Sequence, residues 1–193
     1  RGCILGAFLI IPTPRPGLRA TWPTGAPAVL AAAAVAAGAI AWTYYFQERL
    51  VLSHYDAKAH LVVARRVIDN ITPGWQQIGA VWLPLPHLIH VFPVQSDFLY
   101  RTGVFGSLVS LACFGATVWA AARLVLLTTG SQVGAGVAAA LLVLNPDVLY
   151  LQVTPMTEPL LLAASFLSVL WLSEWLLQDT DEVPARLGWT LFA

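Results

Sequence analysis

The stretch from Ser53 to His90, SHYDAKAHLVVARRVIDNITPGWQQIGAVWLPLPHLIH, decides how the rest of the chain is read. It holds all four histidines, five of the twenty Lys, Arg, Asp and Glu residues, and two of the eight tryptophans of a 193-residue chain. The sequence on either side is mostly apolar, so ionisable groups gathered here are costly to keep and mark a functional-site candidate. Hydrophobic residues make up 58% of the chain and charged residues 10%, and the mean hydropathy is +0.73. Those values belong to the membrane class rather than to soluble domains. A net charge of zero and a pI of about 7.1 offer no basic surface, so nucleic acid is not an expected partner. Cys3 and Cys113 lie far apart in apolar surroundings, which suggests buried thiols and no disulfide framework.

Working outward, the run from Ala20 to Gln47 carries no charge, and its core, Pro27 to Phe46, has the 20 residues needed to cross roughly 30 Å of hydrocarbon. Its small residues between Ala31 and Ala41 suit close helix packing, and Trp42, Tyr44 and Tyr45 suit an interfacial belt. Further apolar runs follow the loop, with a turn signal at Thr128-Thr129-Gly130-Ser131 and a break at Asn145-Pro146-Asp147. Spans are expected over about 27–47, 102–126, 132–146 and 158–177, with a catalytic loop over 48–101. The expected fold is all-α: a single membrane domain forming a polytopic transmembrane helical bundle, with a helical extracytoplasmic loop between the first two spans. The apolar run Cys3 to Ile11 is too short to cross, Asp179 to Arg186 reads as a polar connector, and Leu187 to Ala193 as the start of a fifth helix. The amino terminus is placed inside, because the cations of a long folded loop count little towards orientation. That puts the loop outside.

Within the loop, a helix over Asp56 to Asp69, rotated by 100° per residue, sets Asp56, His60, Val63, Ala64 and Val67 on one face. Lys58, Arg65 and Asp69 fall on the other. A carboxylate on an apolar stripe is poorly hydrated and firmly held, as a general base requires, which makes Asp56 the candidate. Ser53-His54-Tyr55-Asp56 also has the form of a capping box, in which the acid closes the helix start. His54, Asp56 and His60 have the composition of a metal trio, with a divalent cation as the lesser alternative to no cofactor. Arg66, lying to one side of the helix, is a phosphate-binding candidate; Arg65 faces away from Asp56. In Val81-Trp82-Leu83-Pro84-Leu85-Pro86-His87 the two prolines exclude a regular helix throughout, and Trp82 with His87 makes a wall for a sugar or lipid headgroup or an interfacial anchor. If crossings alternate, the junction Thr154-Pro155-Met156-Thr157-Glu158-Pro159 returns to the loop's side. Glu158, with Asp147 nearby, then joins Asp56 or simply complements a helix dipole.

Taken together, Tyr55-Asp56-Ala57-Lys58-Ala59-His60, Ala64-Arg65-Arg66-Val67, Thr72-Pro73-Gly74, Trp82-Leu83-Pro84-Leu85-Pro86-His87, Asn145-Pro146 and Thr154-Pro155-Met156-Thr157-Glu158 carry a resemblance. They resemble the amino-terminal part of bacterial or archaeal membrane glycosyltransferases of the C-type fold, in the protein O-mannosyltransferase and aminoarabinose transferase group (glycosyltransferase family 39-like). The resemblance runs from about Pro27 to Leu177, the front portion of a full member. It implies a polyprenyl-phosphate-linked hexose donor, a protein, lipid or glycan acceptor, and inversion at the anomeric carbon. By the same resemblance Asp56 and Glu158 are catalytic and Arg66 compensates the phosphate; from the residues themselves His60, Trp82 and His87 join Arg66 as substrate-binding candidates, no cofactor is assigned, and the site is placed on the extracytoplasmic side of a prokaryotic plasma membrane. The expected family pattern of two neighbouring acids is not met, since Tyr55 and Ala57 flank Asp56. A transporter or flippase for a lipid-linked or small polar solute is the alternative; it calls for ionisable residues near mid-bilayer, whereas these cluster at span ends.

Overall fold

A computed structural model describes residues 25–78 and 82–177. The expectations for Cys3 to Ile11, Val81, Asp179 to Arg186 and Leu187 to Ala193 lie outside them. The described residues are helical, with no strand: α1 Gly25–Gln47, α2 Tyr55–Arg66, α3 Pro84–His90, α4 Asp97–Thr102, α5 Val104–Thr129, α6 Gln132–Val143, α7 Pro146–Leu151 and α8 Glu158–Leu176. Single 3-10 turns at Trp75–Ile78 and Pro93–Gln95 pack on α2.

Three helices, α1, α5 and α8, are long and apolar enough to cross a membrane. At 1.5 Å per residue they reach roughly 35, 39 and 29 Å. Their environments differ: 56% of the apolar window of α5 is buried inside the protein, against 17% for α1 and for α8. α5 is therefore the central post, with α1, α6 and α8 packed around it. The outer helices turn Val29, Ile40, Val133, Val137, Leu141, Leu161 and Val169 outward, a surface suited to lipid rather than water. Close approach to α5 depends on small residues, as the Ala-rich run predicts. Ala34 and Gly38 of α1 are buried, and a Cβ on Gly115 of α5 would meet Val35 Cγ2 at 2.6 Å.

Gly130 takes φ +69° to end α5, a left-handed conformation that favours glycine, and Ser131 Oγ accepts from the Gly134 N–H to start α6. The third apolar run then differs from the expected 132–146 span. α6 stops after 12 residues, about 18 Å, because Asn145 caps a new helix whose first position is Pro146. Only α6 and α7 together return the chain to the loop end. There Tyr150 packs on Tyr45 at 5.6 Å between ring centroids and lies 3.1 Å from Ser53 Oγ. Ser53 spends its single hydroxyl proton on the Leu50 carbonyl, so the Tyr150 hydroxyl donates.

From Gln152 to Met156 the connection to α8 is buried. Gln152 Nε2 donates to the Gly38 carbonyl of α1 at 3.2 Å, and Ser110 Oγ of α5 donates to the Thr154 carbonyl at 2.7 Å. A side chain of α5 thus satisfies the buried backbone of the connection at Thr154, and a side chain of the connection ties it to the backbone of α1. This strut presents the first turn of α8, and with it Glu158, beside the loop.

Candidate functional site

The site is built from α2, the Trp82–His90 segment and the first turn of α8. α2 starts one residue earlier than expected and ends at Arg66, where Val67, Ile68 and Asp69 turn away. His60, Ala64 and Val67 are buried, as the rotation predicts. Ala57 and Leu61 complete that face, and Val63 only borders it. The capping box is not formed. The Ser53 N–H and O–H are both used on the Leu50 carbonyl, and the cap is His54, whose Nδ1 accepts the Asp56 N–H at 3.2 Å. The Asp56 carboxylate is thereby free of the role that the sequence pattern offered it.

The two prolines act differently from expectation for Pro84 to His87. Pro84 takes the first position of α3 after an extended Leu83, and Pro86 falls in the same turn, where backbone N–H groups have no helical partner to lose. The helix they start places His87 and His90 one turn apart, both buried.

His60 and His87 meet at 3.0 Å, Nδ1 to Nε2, and Trp82 covers His60 with ring centroids 4.5 Å apart. Their exposures are 4% and 0%. Burial holds the His60 imidazole below its ordinary pKa of 6.5; against it act, in order, the negative charges of Glu158 and Asp56, while His90 adds to the lowering. His87 is lowered to about 4, by burial first and by the neighbouring His60 second, with its hydrogen bond to the Leu83 carbonyl opposing. Both rings are therefore neutral at pH 7. Acids 102 positions apart in sequence, on α2 and α8, lie close enough to one imidazole for both charges to act on it.

His90, which the sequence did not single out, bonds the Pro86 carbonyl through Nδ1, and its Nε2 is buried without a partner. It faces Phe105 and the Gly106–Pro155 contact beside a water-sized cavity lined by Ser110 and Met156. Its spacing from His87 after two prolines was the available signal, and it goes unread when prolines are taken only as helix breakers.

Other candidates are placed elsewhere. Arg65 is committed to structure: its guanidinium bridges Asp69 at 2.8 Å and Asp97 at 2.7 Å and lies 4.6 Å from the Tyr100 ring centroid. Those hydrogen bonds raise the Arg65 pKa and hold the Asp97 carboxyl below the usual range. Arg66 is exposed on the last turn of α2, ten residues and about 15 Å along the helix from Asp56. Asp147 is exposed in the first turn of α7, below the Asn145 cap. Among the described residues no group of three or more His, Cys, Asp or Glu is arranged to hold a metal ion. No family model matches the chain, and no curated protein or solved structure is significantly similar to it.

Chemically, the arrangement offers two carboxylates free of cationic partners among the described residues, a shielded neutral imidazole near both, and an indole face. It supports proton removal from a hydroxyl and the stabilisation of a developing positive charge.

Proposed function

We propose that the chain belongs to an integral-membrane glycosyltransferase that moves a hexose from a polyprenyl-phosphate donor to an acceptor hydroxyl with inversion. Its site faces out at the extracytoplasmic boundary of a prokaryotic plasma membrane. What supports this reading is that Asp56 of α2 and Glu158 of α8 both lie near enough to the buried His60 for their charges to bear on it, beside long apolar helices. Acids at the boundary of an apolar bundle serve a substrate whose lipid lies in the membrane and whose sugar lies outside it. In the proposed step Asp56 takes the acceptor hydroxyl proton, the acceptor oxygen bonds the anomeric carbon, and the carbon–oxygen bond to the lipid phosphate breaks. The electron pair leaves with the phosphate. Glu158 steadies the positive charge that develops on the sugar ring. Trp82, half-buried over His60, walls the sugar with the buried His60 and His87 held behind it, and Arg66 is left out of the step because it lies about 15 Å along α2 from Asp56.

A transporter or flippase has one observation in its favour, the broken crossing α6–α7. One experiment separates the readings: the full-length protein in proteoliposomes, given labelled polyprenyl-phosphate hexoses, with product followed by mass spectrometry. Transfer is expected, and Asp56→Asn should lower it by about 10²–10⁴-fold. Undiminished transfer by the variant removes Asp56 from the chemistry. Movement of intact donor across the bilayer without transfer supports the transporter.

A further inference from the structure

A transferase that strips one proton per turnover must dispose of it, and the loop contains a chain of groups arranged to receive it. The argument rests on the transferase reading and extends it to how the base is restored. It starts at the Leu83 carbonyl, which can only accept, so the His87 Nδ1 atom 3.2 Å away carries a hydrogen. Neutral His87 then has its lone pair on Nε2, and the 3.0 Å contact requires His60 Nδ1 to donate to it. His60 is left with one lone pair, on Nε2. The backbone has thus selected the tautomer of a ring two hydrogen bonds away from it.

Asp56 and His60 are one helical turn apart, an i, i+4 pair whose Cβ atoms lie about 5–6 Å apart on the same face. Trp82 holds the His60 ring from the side. The titratable groups that face His60 are Asp56 from its own helix, His87 and His90 from α3, and Glu158 from α8. The two 3-10 turns against α2, Trp75–Ile78 and Pro93–Gln95, bring none. Protonation at Nε2 leaves the Nδ1–H bond to His87 in place and makes it charge-assisted, while two carboxylates face the new cation.

We propose that His60 is a positioning residue that relays the proton from Asp56, its Nε2 receiving what the carboxylate took from the acceptor hydroxyl and passing it to water. The balance is simple: the acceptor O–H bond breaks, its proton goes to the Asp56 carboxylate and then to His60 Nε2, and Asp56 is again a carboxylate for the next turnover. Burial keeps the resting ring neutral and able to accept.

Two measurements test the relay. Side-chain ¹⁵N resonances of histidine-labelled wild-type protein in nanodiscs should show His60 protonated on Nδ1 and bare on Nε2; the opposite tautomer overturns the proposal without any assay. In hexose transfer, His60→Gln should lower kcat about tenfold with little change in KM, and the acid limb of the kcat–pH profile should move down into the carboxylate range. An unmoved acid limb in a variant that still transfers hexose overturns the relay alone. Absence of transfer by the wild-type protein overturns the proposed reaction, and the relay with it.

Discussion

α8 carries one glutamate in its first turn and one in its last, and the bundle treats them differently. Glu174, 14% exposed, lies 3.4 Å from the Arg123 guanidinium of α5. Glu158 faces no cation among the described residues; the Thr157 hydroxyl approaches its carboxylate at 3.4 Å, and its charge falls on His60. The same residue type on the same helix is a brace at one end and an uncommitted charge at the other. A partnered carboxylate holds two helices in register and has little left to offer a ligand. An unpartnered one keeps its field for whatever enters, at a cost in stability that the buried strut behind it must offset.

The comparison can be broken most directly by neutralising each acid. Glu158→Gln should reduce hexose transfer by about 10²–10³-fold, as removal of an aimed charge does. Glu174→Gln should leave the rate within about twofold and lower stability by about 1 kcal/mol. Equal losses of rate would erase the distinction.

A second test uses pH. His87 titrates near 4 in the folded loop against 6.5 in an unfolded chain, so the unfolded state takes up the proton first. Its contribution to stability is complete above about pH 6.5 and is lost as pH falls towards 4, by up to roughly 3 kcal/mol. Thermal unfolding followed by tryptophan fluorescence between pH 7.5 and about 4 should show this fall, and His87→Phe should flatten it. The third test moves the floor of the site. A Cβ on Gly106 would run into Pro155 Cβ and lie 2.7 Å from His90 Nε2. Gly106→Ala should therefore cost about 1–3 kcal/mol by overpacking, and lower transfer by pushing the Glu158 strut away from α2. A fully active, equally stable variant would mean that the strut does not set the position of Glu158.

How much of this was legible in the sequence depends on the distance over which each feature is decided. The long apolar helices are written in local composition, and the core-facing His60, Ala64 and Val67 in helical period. The end of α5 at Gly130 and the start of α6 at Ser131 follow from two residues. Features decided by partners elsewhere were not legible. The capping box failed because Leu50, outside the motif, took both donors of Ser53. Arg65 found Asp97, 32 positions on, which no rotation of α2 reveals. The break after α6 was visible at Pro146, but not that α7 would bring the chain back to the loop end, since that depends on Tyr150 reaching Tyr45 and Ser53. His87 could be named from its neighbours; the spacing of His90 was a signal too, but its burial, made by Phe105, Gly106 and Pro155, was not.

The bond from Gln152 to the Gly38 carbonyl spans 114 positions, and it bears on biosynthesis. A ribosome adding about 5–20 residues per second completes α2 roughly 5–20 s before the first turn of α8 exists. Throughout that interval Asp56 and His60 are already made while their carboxylate companion and the strut that carries it are not. The nascent protein therefore holds half of the proposed site, and the proposed chemistry waits until α8 seats.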